Sequence, residues 1–257
     1  MFSHALTLPP TFWLIAVAAI ILVGMSKAGF GGTATNLGVP LMAIVVAPPF
    51  AAAVMLPILL VLDAIGLFVF RGKADGPNLR IILPGAIIGI ALGWLTFDYI
   101  DPRWIRVLIG IEAVVFAIDR MLELRGGMAP VAATSPTVRR GIFWGALSGF
   151  TSFVSHAGGP PIMHYLMPQN MDKVRLVGTT ALFFAVVNFL KLFPYAHLGL
   201  LDLSNLEVSV LLLPAVPVGY FIGYRLMHAI DMRQFNLITA GMLLLAGFKL
   251  IWDGVAK

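Results

Sequence analysis

Two glycine-rich breaks interrupt otherwise long apolar stretches of the sequence. Gly29-Phe30-Gly31-Gly32 divides residues 11–48, and Gly158-Gly159-Pro160-Pro161 divides residues 140–168. Where a helix restarts after such a break, its free N–H groups and its dipole attract an anion, and glycine lets the backbone approach the ligand closely. We therefore predict an anion-binding site formed by Lys27, Gly31, Gly32, Thr33, Asn36, Ser152, Ser155, His156, Gly158 and Gly159.

Several of these residues also have a plainer interpretation. The glycines could simply let helices pack tightly, and Lys27 is either an electrostatic attractant or an interfacial lysine whose ammonium reaches the surface. His156 is either a titrating imidazole that binds the anion or relays a proton, or a neutral ring bonded to a backbone carbonyl. Thr33, Thr35 or Asn36 is expected to cap the helix that follows the first break.

Charged residues inside apolar runs form a second group of candidates. Such residues are costly in a membrane and usually face a cavity or each other. We predict that Asp63 is a proton-coupling or gating carboxylate, with Asn188 and Lys191 on the opposing wall. The alternative is a structural ion pair or a buried hydrogen-bond network. Glu112 is a weaker candidate, because its counterpart in the repeat described below is Met242.

Other kinds of chemistry have little support in the sequence. Ser148 precedes His156 by two helical turns, roughly 12 Å in a helix, which is too far for a nucleophile and its base. An intramembrane hydrolase is therefore a remote alternative. The chain has no cysteine and no HExxH motif, and we predict neither a metal nor a cofactor.

The composition places these residues in a membrane protein. Of the 257 residues, 60% are hydrophobic and 11% are charged, whereas soluble domains are about 25% charged. The net charge of +5 comes from Lys and Arg residues that separate apolar runs, so we predict no nucleic-acid partner. Six runs approach the roughly 20 residues that a membrane span needs, namely 50–70, 80–99, 104–123, 174–196, 206–228 and 233–252.

The two halves of the chain repeat each other. At an offset of 130 residues, Leu83-Pro84, Gly89, Gly93, Ile100-Asp101 and Arg103 match Leu213-Pro214, Gly219, Gly223, Ile230-Asp231 and Arg233. At an offset of 127, Gly31-Gly32, Gly72, Asp75 and Asn78-Leu79 match Gly158-Gly159, Gly199, Asp202 and Asn205-Leu206. We predict a first repeat at residues 1–124, a cytoplasmic linker at 125–139 and a second repeat at 140–257.

The distribution of charge predicts how the repeats are oriented. If each broken region crosses once, the basic residues divide almost evenly between the two sides. If each makes two short passes or a re-entrant hairpin, twelve basic residues share one side and four lie opposite, in agreement with the positive-inside rule. We therefore predict an all-α polytopic membrane protein of eight to ten segments. Its two inverted repeats have about five hydrophobic segments each, and both termini are extracytoplasmic.

The two broken segments resemble a known family. GMSKAGFGGTATNLGVPLM (24–42) and GALSGFTSFVSHAGGPPIMHYLMP (145–168) are similar to the paired signatures of the TauE/SafE sulfite exporter family. LPILLVLD (56–63) and GTTALFFAVVNFLKLFPY (178–195) resemble one branch of it. Thr33 and Thr35 stand where many members have further glycines.

The resemblance implies a multi-pass transporter of the bacterial inner membrane, whose partners are the lipid bilayer and a small sulfur-containing anion such as sulfite, sulfoacetate or another organosulfonate. The resemblance also implies export by alternating access. Protons are a further partner if transport is coupled to them. A permease or channel for another small anion is the alternative from a different class.

Overall fold

The computed structural model describes residues 7–29, 33–97, 99–126, 134–226 and 231–256. These residues form eleven α-helices and two short 3-10 helices, Thr33–Leu37 and Met167–Gln169, with no strand in the described ranges. The α-helices are α1 Pro10–Gly29, α2 Gly38–Ala43, α3 Pro48–Val69, α4 Gly76–Phe97, α5 Pro102–Gly126, α6 Val138–Ser155, α7 Gly159–Leu166, α8 Lys173–His197, α9 Leu203–Leu212, α10 Ala215–Leu226 and α11 Met232–Val255.

Six stretches within the described ranges are long and apolar enough to cross a membrane, which confirms the predicted all-α polytopic membrane protein. They are Pro10–Lys27, Pro48–Val69, Gly76–Phe97, Lys173–His197, Leu203–Leu226 and Arg233–Val255. The predicted span 104–123 corresponds to the more polar α5, which packs along α11. The predicted span 206–228 is divided, because the helix stops before Leu213 and Pro214 and restarts at Ala215. The equivalent Pro84 lies inside the continuous α4.

Each broken region is a helical hairpin that begins and ends on the same side of the molecule. The ring of Phe12, near the start of α1, lies 5.7 Å from the ring of Phe50 at the start of α3. The chain therefore returns through α2 to the end where α1 began. In the second half, Thr134 N donates to Pro168 O at 2.9 Å, so α6 and α7 likewise begin and end on one side. Of the topologies considered from charge, the structure has the one with two hairpins.

The two halves run in opposite directions. Asp75, which follows α3, forms an ion pair of 2.8 Å with Arg175 near the start of α8, so α3 and α8 are antiparallel. The turn after each of them has the same construction: Gly72 and Gly199 have left-handed φ angles of 71° and 68°. Equivalent turns therefore lie at opposite ends of the molecule, as an inverted repeat requires.

The helix that starts after each turn is capped in the same way. Asp75 Oδ1 accepts from Asn78 N at 3.0 Å, and Asp202 Oδ1 accepts from Asn205 N at 2.7 Å. An aspartate that accepts from the third residue on satisfies one of the free N–H groups at a helix start. The Asp and Asn matches detected in the sequence are thus positions with one shared structural role.

Close glycine contacts join each half to the hairpin of the other. A Cβ on Gly89 in α4 would lie 1.9 Å from Ala146 O in α6, and a Cβ on Gly219 in α10 would lie 2.6 Å from Ile21 O in α1. Gly89 and Gly219 are equivalent in the repeat. The pairs α4–α6 and α10–α1 therefore form the same interface, related by exchange of the two halves.

Candidate functional site

A cavity of about 620 Å³ extends into the molecule between the two hairpins and the antiparallel pair α3 and α8. Its deep end is polar, and its polar residues come from both halves of the chain. They are Lys27, Thr35, Asn36, Asp63, Ser152, His156 and Asn188. Leu59, Leu62, Met163 and Phe184 supply apolar walls.

The cavity mouth lies among helix ends on one side of the molecule. The end of α3 at Val69 and Phe70 and the start of α8 at Leu176 and Val177 both line it. Asp119 and His164 lie 3.1 Å apart at the mouth, with side chains 37% and 41% exposed. Asp63 and Ser152 at the deep end are only 3% and 2% exposed, so the cavity leads from solvent to a buried polar centre.

Asp63 connects the two halves at this centre. Its Oδ1 accepts from Lys27 Nζ at 2.7 Å, and its Oδ2 accepts from Asn188 Nδ2 at 2.5 Å. Hydrogen bonds in which one partner is ionised are shorter and stronger than those between neutral groups. The ion pair joins α1 to α3 within the first half. The hydrogen bond from the Asn188 amide joins α3 to α8 of the second half.

Lys191 lies behind the cavity wall and is fully buried. Its Nζ donates to Ser152 O at 2.8 Å, to Ser152 Oγ at 3.0 Å and to His156 Nδ1 at 2.7 Å. An ammonium has three protons, and all three are directed at neutral acceptors. The hydrogen bonds are therefore satisfied, whereas no carboxylate among the described residues contacts the positive charge.

The partners of His156 identify which of its nitrogens carries the proton. Nε2 lies 2.9 Å from Ala52 O, and a carbonyl can only accept, so Nε2 donates. Because Lys191 Nζ can only donate, Nδ1 must be the accepting nitrogen. The ring is thus neutral in this conformation and bonded to a backbone carbonyl.

The backbone of His156 is also unusual. It caps α6 in the left-handed region, with φ of 56°, a conformation that costs a non-glycine residue of order 1 kcal/mol or more. This bend turns the chain from α6 towards α7. The cost is offset locally by the hydrogen bonds that hold the ring.

The 3-10 helix that follows the first break lies beside the second break. A Cβ on Gly159 would lie 3.5 Å from Asn36 Oδ1, so the start of α7 and the 3-10 helix Thr33–Leu37 are neighbours. Both Gly159 and Asn36 line the cavity. Ser148 Oγ donates to Gly158 O at 2.7 Å, which commits its proton to a carbonyl and leaves no nucleophile–base contact with His156.

The structure brings most of the predicted site residues together. Those that line the cavity are Lys27, Asn36, Asp63, Ser152, His156, Gly159 and Asn188. Lys191 contacts two of them from behind, and Ser155 instead contacts Glu112 on α5. Gly31 and Gly32 lie outside the described residues, as does the side chain of Thr33.

Thr35 is a cavity residue that the predicted site omits. Its Oγ1 is buried with no hydrogen-bond partner among the described residues, so it is available to a ligand. The prediction that Thr35 or Asn36 caps α2 is wrong, because Leu37 is the N-cap and no side chain caps this helix. The 3-10 turn before α2 satisfies backbone groups that a side-chain cap would otherwise bind.

The net charge of the deep end favours an anion. With both lysines protonated, Lys27 and Lys191 carry two positive charges and Asp63 carries one negative charge, a sum of +1. Two charges of this kind held at membrane depth attract a mobile counter-ion of opposite sign. In the described ranges no group of three His, Asp or Glu side chains could hold a metal ion.

Comparison with known proteins identifies a family. A family model described as Sulfite exporter TauE/SafE matches residues 16–250, nearly the whole chain. No curated protein and no solved structure matches the chain.

Proposed function

Because the chain belongs to the TauE/SafE sulfite exporter family, we propose that it carries small sulfur-containing anions, such as sulfite, sulfoacetate or another organosulfonate, across a bacterial inner membrane. The observation that carries this proposal is the buried ammonium of Lys191, whose hydrogen-bond partners are all neutral. An anion at the deep end of the cavity would neutralise the surplus charge.

The residues around the deep end have suitable donors for such a ligand. Oxygens of a sulfite or sulfonate group accept hydrogen bonds from ammonium, amide and hydroxyl groups. Lys27, Asn36, Asn188 and the buried hydroxyl of Thr35 supply these groups from the cavity wall. Lys191 adds positive potential from behind without filling the cavity.

The geometry also supports alternating access. The cavity opens at the molecular end where α3 and α5 finish and α8 begins, close to Arg71, Lys73, Arg120, Lys173 and Arg175. By the positive-inside rule this end faces the cytoplasm. The conformation described is then open to the cytoplasm, with both termini outside, and an exporter would load its anion from this side.

Proteoliposome flux tests the proposal. We expect saturable efflux of labelled sulfoacetate from vesicles that contain the wild-type protein. Lys191→Met should weaken binding by about ten- to a hundred-fold, since hydrogen bonds and attraction to a charged group contribute about 1.5–3 kcal/mol. Lys249→Met is the matched control, because Lys249 is exposed and paired with Asp253 on the outer surface of α11.

Two results would contradict the proposal. Flux of sulfite and sulfoacetate equal to that of empty vesicles would remove the substrate class. Flux that rises linearly with concentration, without saturation, would favour the channel instead of a carrier.

A further inference from the structure

Glu112 is a carboxyl group in the membrane that the candidate site does not use. It lies near the middle of α5, and its Oε1 is buried with no hydrogen-bond partner in the part of the chain that the structure describes. Its Oε2 contacts Ser155 Oγ on α6. A carboxylate with one buried, unpaired oxygen and no cation would be strongly unfavourable at this position.

The hydrogen bonds around Ser155 give a second, independent argument. Ser155 Oγ also lies 3.0 Å from Thr151 O, and this carbonyl can only accept. A serine hydroxyl has one proton, so if that proton goes to Thr151 O, Ser155 must accept from Glu112. The hydroxyl of Thr151 is also near this carboxyl, and its acceptors by distance and angle are the carbonyl oxygens of Leu147, Ser148 and Ala157.

Glu112 has no charged partner among the described residues that would stabilise its ionised form. The helices that pack on α5 are α2, α3, α6 and α11, and α2 has no ionisable side chain. The ionisable side chains on the other three helices are Asp63 on α3, Arg139 and Arg140 on α6 with His156 at its C-cap, and Arg233, Lys249 and Asp253 on α11. Glu112 makes no ion pair with these groups; Asp63 is bound to Lys27, and Lys249 to Asp253.

We propose that Glu112 is a proton-binding site of the transport cycle and is neutral in this conformation. Ser155 couples it to the C-terminal end of α6, which is capped by His156 and hydrogen-bonded to Lys191 of α8. The coupling rests on the proposed transport function. Ser155 precedes His156 directly, and Ser152 O accepts from both His156 N and Lys191 Nζ. The protonated carboxyl and the anion site therefore share the last turn of α6.

Release of the proton would change this turn. The proton leaves Glu112 Oε2 for water, and the resulting carboxylate requires a donor. Ser155 is the donor at hand, and it would then give up its bond to Thr151 O. That carbonyl also accepts from Ala157 N, so the change reaches the loop between α6 and α7 next to the cavity.

Infrared spectra of the purified protein at neutral pH, compared between wild type and variants, test whether Glu112 is protonated. We expect the carbonyl band of a protonated carboxylic acid in wild type, in Asp63→Asn and in Glu207→Gln, and its loss in Glu112→Gln. Glu207→Gln is the matched control, because Glu207 also has a buried Oε1 without a partner among the described residues but lies on α9, which packs mainly on α3. Persistence of the full band in Glu112→Gln, or its loss in Asp63→Asn, would overturn the assignment.

Flux of sulfoacetate with and without a pH gradient tests the coupling. Sulfoacetate keeps its charge around neutral pH, so it does not itself introduce a titration. A pH gradient should alter flux in wild type and Glu207→Gln, whereas Glu112→Gln, which mimics the neutral acid, should transport without responding to it. Ser155→Ala, which removes the coupling hydroxyl, should weaken the response as well.

An unchanged gradient response in both Glu112→Gln and Ser155→Ala would overturn the coupling. Absence of sulfoacetate flux in wild type is a different failure. It would contradict the proposed transport function and the coupling with it, whereas the infrared result on Glu112 is read without any substrate.

Discussion

At the scale of single residues, two polar clusters at the deep end of the cavity differ in how their charges are balanced. Asp63 has a cation, Lys27, and an amide as partners. Lys191 is held by three contacts to neutral groups. The first cluster is self-neutralised, so we expect its removal to affect stability, whereas under the proposed function removal of the second should affect anion binding.

Substitution of the Asp63 cluster should show this structural role. Asp63→Asn leaves Lys27, which is 23% exposed, without its carboxylate. We expect a loss of about 1.5–3 kcal/mol, the usual value for a hydrogen bond to a charged group, seen as a lower thermal unfolding midpoint in detergent. The double variant Lys27→Met with Asp63→Asn should lose less than the sum of the two single variants.

Asp119→Asn is the control for that comparison, because Asp119 forms a similar contact at the exposed mouth and such pairs contribute little. Strict additivity of the Lys27 and Asp63 variants would show that the ion pair does not contribute to stability.

At the scale of helices, glycine contacts determine how the two halves interlock. Gly85, Gly89 and Gly93 recur every fourth residue on α4, and at each a Cβ would meet α6 within 3 Å. Small residues let membrane helices approach until their backbones touch. Lipid gives no hydrophobic drive for association, so these close contacts contribute much of the packing energy between α4 and α6.

A single methyl group should therefore disrupt this interface. Gly89→Ala places a Cβ against the Ala146 carbonyl oxygen, which as backbone cannot move aside, and we expect destabilisation of about 1–3 kcal/mol or more. Gly241→Ala in α11 is the matched control, since no heavy atom of the described residues lies within 4 Å of its Cβ. It should be neutral or stabilising by about 0.5–1 kcal/mol. Thermal unfolding of both variants makes the comparison, and equal midpoints would contradict it.

Much of the architecture at this scale could be predicted. Apolar length located the candidate spans except Pro10–Lys27, which belongs to the first broken region. The Gly72 and Gly199 match identified turns that share a left-handed residue. The interruption at Leu213 and Pro214 could not be predicted, because the equivalent Pro84 occurs in an unbroken helix. A proline removes one hydrogen bond in either case, and tertiary packing decides whether the helix bends or stops.

The candidate site was harder to predict, because its contacts join residues distant in sequence. Asp63 and Asn188 are 125 residues apart, and no local pattern indicates that they share a hydrogen bond. Residue type and membrane depth identified both as candidates, but not as partners. Glu112 shows the same limit. Its partner Ser155 belongs to the other half, so comparison with its repeat equivalent could not reveal this contact.

At the scale of the whole molecule, the two hairpins open towards opposite ends, and the cavity reaches solvent at the end rich in Lys and Arg in this conformation. The natural chain contains no cysteine, so each introduced cysteine is a unique label. Two exposed positions mark the two ends. Ser135 lies before α6, and Leu203 is 87% exposed at the start of α9.

A membrane-impermeant maleimide should distinguish these positions. In intact cells we expect Leu203→Cys to be labelled and Ser135→Cys to be protected, because the proposed orientation places the basic end in the cytoplasm. Inside-out vesicles should give the reverse. Labelling of Ser135→Cys in intact cells would invert the proposed orientation and, with it, the side from which the cavity opens.

The near-correspondence of Asp63 and Lys191 has a consequence for energetics. Asp63 lies nine residues before Gly72, and Lys191 lies eight residues before Gly199, so the halves carry opposite charges within one residue of the same place. Under the proposed alternating access, two identical halves could exchange conformations, and the two access states would be related by a two-fold rotation and equal in free energy. Opposite charges at matched depth remove that equality. We therefore expect the empty protein to prefer one access state, and an anion that neutralises one half and not the other to change this preference.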